Sequence, residues 1–221
     1  YWRDGALVPI EETTETIKVA GGDDIDLTIR STAHGPIISG LTDDFTAIAD
    51  DPEPGLTAGG ATGTAPTGEA SEYAVSLRWT ALDPGTAATA IFALSTAQDF
   101  EEFRSAAALF DVPAQNLIYA DVEGNIGYQT PGRLPVRGAG DGWMPQPGWD
   151  SSYDWTGFIP FDELPVSYNP ASGYIVTANN AIVTDDYPYF LSRDWDYGYR
   201  ADRIAHLIER RVAAAPLTAQ D

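Results

Sequence analysis

Residues 115–137 read QNLIYADVEGNIGYQTPGRLPVR. Within them, residues 116–121 (NLIYAD) and 126–129 (IGYQ) carry the aliphatic and aromatic side chains, separated by the acidic, glycine-containing segment VEGN. That composition around a Gly124-Asn125 turn predicts a β-hairpin. Working upstream, residues 83–114 place Ile91 and Leu94, then Phe100, Phe103, Ala107 and Phe110, at spacings of three and four. This is a helical period, with Thr96-Ala97-Gln98-Asp99 as a capped start for its second stretch and Pro113 as its end. Further upstream, residues 73–80 alternate as a strand, with Val75, Leu77 and Trp79 on one side. Residues 15–39 predict another hairpin, in which Ile25, Leu27 and Ile29 alternate after Gly21-Gly22-Asp23-Asp24. His34-Gly35-Pro36 then turns into a short strand.

Downstream, residues 131–170 are loop-rich in Pro, Gly and Trp, and residues 175–178 form an apolar strand. Ile204, Leu207 and Ile208 give residues 200–212 a helical period. Strands and helices in this mixture predict an α+β chain. Residues 50–72 are dense in Gly, Thr, Pro and Ala and predict a long loop or insertion. There is no internal repeat at periods of 20–50 residues. The chain opens on Tyr1-Trp2-Arg3-Asp4 and closes on Pro216–Asp221, where Thr218 has the place of a helix N-cap. These ends lead to the expectation of a processed or excised segment.

The charge balance narrows the partners. Twelve Lys and Arg stand against thirty-three Asp and Glu, for a net charge of −21, and Lys18 is the only lysine. Such a surface repels phosphate backbones and anionic lipid, so neither nucleic acid nor membrane is an expected partner. With no cysteine there is no disulfide, thiol nucleophile or thiolate metal site. Near-absence of Lys with abundant Asp, Ala, Gly and Thr points to a salt-rich environment, where screening removes the self-repulsion of dense carboxylates.

Few residues carry chemistry on their own. His34 sits in a turn and His206 on a helix, neither with a second His at metal spacing. Asp121-Val122-Glu123-Gly124-Asn125 has carboxylates around a glycine, but turn chemistry accounts for them without calcium. The Trp/Tyr-rich stretch 143–168 is either a carbohydrate platform or, as we favour, the staple of a coil-rich region. No G-x-S-x-G, Walker A or G-x-G-x-x-G motif is present. Asn179-Asn180 follows the apolar strand directly. A side-chain amide there can donate to a developing oxyanion, although an Asn pair after a strand is also an ordinary turn.

Taken in order, several segments resemble the penicillin acylase (penicillin amidase) family of N-terminal-nucleophile hydrolases. They are HGP at 34–36, SLRWTALDP at 76–84, QNLIYADVEGNIGYQTPGRLPVR at 115–137 and PQPGWDSSYDWTGFIPFDELP at 145–165. NPASGYIVTANN at 169–180, and DYP followed by W…GYRADRI at 186–204, complete the set. The resemblance implies part of a four-layer αββα fold, and an internal segment of the β subunit covering residues 1–221. It implies a precursor that cleaves itself into α and β subunits. The new N-terminal residue of β, usually Ser, is then the nucleophile and uses its own α-amine as base.

By the same resemblance, the oxyanion-hole amide falls on Asn179. The Arg that organises that Asn and the surroundings of the nucleophile falls on Arg203. Arg200, one turn earlier, reads as a surface or interdomain ion pair. Acyl-pocket positions fall near Ile91 and Gln115, and the polarity of Gln115 departs from the aliphatic residue of some members. A calcium ligand after the DYP stretch aligns with Leu191, which cannot coordinate a cation, so no metal site or other cofactor is carried over. The nucleophile segment also has no counterpart here. The expected function is therefore a part of an amidohydrolase acting on penicillin, N-acyl homoserine lactone or related N-acyl compounds. Its partners are the α subunit and the remainder of β, and these residues alone are expected to be inactive. The family setting implies a periplasmic or secreted protein. The competing expectation is a non-catalytic module that uses the 143–168 stretch as a binding surface.

Overall fold

Hairpins in the sequence become antiparallel ladders, and the long helical period breaks in two. The computed structural model describes residues 1–50 and 73–214. Apart from Asp50, the stretch expected to be a loop at 50–72 lies outside the described residues, as does the helix start at Thr218. In chain order the strands are β1 (Trp2–Arg3), β2 (Ala6–Leu7), β3 (Glu11–Ile17), β4 (Ile25–Thr32) and β5 (Gly35–Pro36). Three helices follow: α1 (Asp43–Asp50), α2 (Ala87–Leu94) and α3 (Phe100–Ala107). Then come β6 (Leu117–Ala120), β7 (Ile126–Gln129), β8 (Pro135–Arg137), β9 (Trp155–Phe158), β10 (Val166–Tyr168) and α4 (Tyr199–Ala214). These elements fall into two compact units, residues 1–83 with 137–157 and residues 84–136 with 158–221.

In the first unit, β3 pairs with β4 from Glu11↔Ser31 to Ile17↔Ile25, so the hairpin begins upstream of its expected start and residues 18–24 close it. β5 adds to β4 through Thr32↔Gly35 and Ser31↔Pro36. Gly35 has φ +101°, and a Cβ there would lie 2.4 Å from the Leu77 carbonyl oxygen, so the HGP turn requires glycine. The strand expected at 73–80 is reduced to one bridge, Ile37↔Ser76, and Thr80 already begins a 3-10 turn. Among the described residues, its backbone-to-backbone bonds to another segment are to residues 36–38: the Ile38 N–H donates to the Val75 carbonyl (2.8 Å) and the Leu77 N–H to the Pro36 carbonyl (2.9 Å). Alternation marks a face, but a ladder also needs a partner of matching length.

The core of the second unit is aromatic. Asp99 caps α3 by accepting the Glu102 N–H (2.8 Å), while the Glu102 carboxylate accepts the Gln98 N–H (2.9 Å). The helix ends at Ala107, short of Pro113. Its buried face is Phe100, Phe103, Ala106 and Ala107, the stripe that a helical period creates. Phe100 packs on Phe103 (5.9 Å), Tyr119 (5.4 Å) and Tyr168 (4.5 Å) between ring centroids. Each buried Phe contributes roughly 1.5–3 kcal/mol of apolar transfer. The sheet behind it runs β10-β7-β6, all antiparallel, with the predicted 115–137 hairpin as β6 and β7. Buried Gln129 in the central strand is satisfied on both sides: its oxygen accepts from Arg104 Nε (3.1 Å) and its amide donates to the Thr130 carbonyl (3.0 Å).

Residues 175–178 do not form the expected strand. Ala178 shows why: its N–H donates to Asn180 Oδ1 (3.1 Å) and its carbonyl accepts from Arg200 (2.8 Å), so side chains take the place of a ladder. α4 matches its prediction closely but carries no buried residue. Among the described residues, no helix is long and apolar enough to cross a membrane.

Candidate functional site

Two segments of the second unit, residues 174–180 and α4, are joined at two places. The Tyr174 hydroxyl donates to Glu209 Oε1 on α4 at 2.6 Å. At the other end, Arg200 Nη2 donates to the Ala178 carbonyl (2.8 Å) and to Asn179 Oδ1 (2.7 Å). The same nitrogen lies 3.2 Å from Asp196 Oδ2, an i,i+4 ion pair. The Asn179 carbonyl accepts the Asp196 N–H at 2.8 Å, which closes the ring of contacts. Asn179 has φ +63°, the left-handed region that Asn tolerates better than most residues.

These bonds divide the two amides of the Asn pair. Asn180 is consumed locally: Oδ1 accepts from Ala178 N–H and Nδ2 donates to the Ala181 carbonyl (3.0 Å). Asn179 gives its oxygen to Arg200, and its Nδ2 has no acceptor among the described residues. The group that Asn179 presents outward is therefore an N–H donor, and a guanidinium behind the amide oxygen polarises it further.

The other expected site residues lie apart from this network. Arg203 is exposed on α4 one turn beyond Arg200, and among the described residues Arg200 is the guanidinium bonded to Asn179. Ile91 is 56% exposed on α2, and Gln115 is exposed just ahead of β6. The surface ion pair expected of Arg200 is present with Asp196, but its shorter bonds go to the Ala178 carbonyl and the Asn179 amide oxygen. Sequence reasoning missed Asp196 altogether, although its i,i+4 spacing to Arg200 was available as a signal.

Among the described residues, no group of three or more His, Cys, Asp or Glu could hold a metal ion. The Asp121 carboxylate is occupied by its own turn, accepting the N–H groups of Glu123 and Asn125, the Asn125 amide and the Tyr119 hydroxyl. The Asn125 hydrogen bond leads in holding its pKa below the usual carboxylate range. His34 pairs with Asp154 (2.7 Å). In the first unit, Trp143, Met144, Tyr153 and Trp155 line a cavity of about 610 Å³. Trp155 also carries the Arg78 guanidinium on its face at 4.9 Å, and Trp149 packs on Tyr73 at 5.8 Å.

The penicillin amidase family model matches residues 1–221. Penicillin acylase 2 proenzyme of Pseudomonas sp. (strain SE83) is 34% identical over 213 residues, 96% of this chain and 24% of that protein. Acyl-homoserine lactone acylase QuiP of Pseudomonas syringae pv. tomato is 32% identical, over 94% of this chain and 22% of that protein. Penicillin G acylase of Escherichia coli is 31% identical, over 96% and 22%. The chain thus spans about a quarter of the length of the curated relatives it matches. Among solved structures, a thermostable penicillin G acylase from Alcaligenes faecalis superposes with a TM-score of 0.66 at 27% identity, covering 95% of this chain and 33% of that one. That protein has the N-terminal-nucleophile hydrolase fold, in agreement with the α+β expectation.

Proposed function

The chain belongs to the penicillin amidase family, and on that premise we propose that it is an internal section of the β subunit of an amidohydrolase that cleaves linear acyl-amide bonds. Penicillins, N-acyl homoserine lactones and related N-acyl compounds are the substrate class, on the strength of the relatives' names. The nucleophile, an N-terminal Ser exposed by self-cleavage, lies outside these residues, as does the α subunit. Its hydroxyl attacks the amide carbonyl, the amine leaves, and water releases the acid from the acyl-enzyme. The excess of acidic residues suits a salt-rich setting.

In this reading Asn179 stabilises the tetrahedral intermediate, Arg203 organises the nucleophile's surroundings, and Ile91 and Gln115 border the acyl group. The observation that carries it is the commitment of Asn179 Oδ1 to Arg200, which leaves Nδ2 as the outward donor. An oxyanion needs such a donor where charge develops, and loss of one costs about 10²–10³ in rate. In the full-length protein, Asn179→Ala is expected to lower kcat by about 10²–10³ with acyl-amide substrates. Near-wild-type turnover in that variant removes the assignment. The second reading, a binding module, draws support from the aromatic-lined cavity of the first unit; retained ligand binding with no amidase activity in the full-length protein would favour it.

A further inference from the structure

We propose that Arg200 is the positioning residue that sets which face of the Asn179 amide meets the substrate. This deepens, and rests on, the reading of Asn179 as the oxyanion donor. The terminal torsion of an Asn side chain is broad and roughly two-fold, so oxygen and nitrogen exchange places at little cost unless something holds one of them. An amide turned the wrong way would aim a lone pair at the developing oxyanion and repel it. Here Arg200 Nη2 grips Asn179 Oδ1 at 2.7 Å and, from the same nitrogen, the preceding carbonyl of Ala178 at 2.8 Å. Backbone and side chain of the turn are thus held by one group, and a reversed amide would set two donors against each other at Arg200.

The grip is itself supported. Asp196 lies 3.2 Å from Arg200 Nη2 and binds the Asn179 carbonyl through its own N–H at 2.8 Å. Arg200 is the second residue of α4, and the Tyr174–Glu209 hydrogen bond ties the other end of residues 174–180 to the same helix. The helix therefore fixes both ends of the segment, and rotation of the guanidinium away from Asn179 would break contacts with Asp196 and Ala178 together. Arg203 has no such bond to Asn179 among the described residues, so the two arginines have separable roles.

The test is steady-state kinetics of the full-length protein on a chromogenic N-acyl anilide, with Arg200→Ala, Arg200→Lys, Asn179→Ala and the Arg200→Ala/Asn179→Ala double variant. Arg200→Ala is expected to lower kcat about 10–100-fold, with KM changed by less than about threefold, because the loss falls on the transition state. The double variant should match Asn179→Ala within about twofold, since Arg200 acts only through that amide. Added guanidinium ion at millimolar concentration should restore part of kcat to Arg200→Ala and none to the double variant. Arg200→Lys, which keeps the charge but gathers its donors on a single nitrogen, should fall between wild type and Arg200→Ala, and it serves as the test if the Ala variant does not fold. Wild-type kcat in the Arg200 variants, or losses that multiply in the double variant, overturn the proposal while leaving Asn179 in place. Wild-type kcat in Asn179→Ala overturns the underlying reading as well.

Discussion

Asp154 illustrates what single residues do in the first unit. Its carboxylate accepts from Arg3 and from His34 Nε2, the latter at 2.7 Å, joining the first hairpin, the HGP turn and the lead into β9. Burial pushes its pKa up, but the hydrogen bonds from Arg3 and His34, with their charges, outweigh this and hold it below the usual carboxylate value. A depressed carboxylate contributes stability that is present above the unfolded value of about 3.9 and is lost as pH falls through the folded value. Asp154→Asn is therefore expected to destabilise at pH 7 by about 1.5 kcal/mol, the low end for charged hydrogen bonds because the group is partly exposed. It should also flatten the acid limb of stability. Denaturant midpoints at pH 7 and pH 3 check this, and an equal acid sensitivity in both proteins counts against it. None of this was legible locally, because the partner of His34 lies 120 positions away. Asn179 was legible as a residue at the end of an apolar run; the grip of Arg200 was not, because it exists only once α4 folds back over that run.

Among elements, the 115–137 hairpin and α3 pack tightly at Gly127. A Cβ on Gly127 would lie 2.3 Å from the Phe100 ring, which is confined by Phe103, Tyr119 and Tyr168. Gly127→Ala is expected to cost about 1–3 kcal/mol through overpacking. Gly157→Ala in β9, where a Cβ meets nothing within 4 Å, should be near neutral and is the control. Thermal melts of the two variants decide the point: equal melting temperatures would mean that the aromatic cluster yields freely. The element types most clearly set by period, α3, α4 and the two long hairpins, were legible in the sequence. The expected strands at 73–80 and 175–178 were not realised as such, because an apolar run specifies a buried face and leaves its backbone partner to the rest of the fold. The β1–β2 hairpin went unread although Asp4-Gly5, with φ +47° and +81°, is the turn pair that favours it.

At the scale of the whole molecule, the −21 charge acts through what the cations can and cannot neutralise. Several of the twelve are already spent on individual carboxylates: Arg3 on Asp154, Arg104 on Asp162, Arg200 on Asp196, Arg78 on Asp83 and Lys18 on Asp24. Many remaining carboxylates stand exposed, Glu11 and Glu15 on β3 and Asp43 and Asp44 on α1 among them. Their mutual repulsion acts over a Debye length of about 10 Å at 0.1 M salt and about 3 Å at 1 M. The melting temperature is therefore expected to climb steeply between ~0.1 and ~2 M KCl, with most of the rise below about 1 M, where screening is nearly complete. The shape of the curve separates two causes. A rise that saturates reports relief of repulsion, whereas a steady rise through 2 M would report strengthened burial of apolar surface. A flat response would show that the exposed carboxylates are too far apart, or too well hydrated, to strain the fold, and would remove the case for a salt-rich setting.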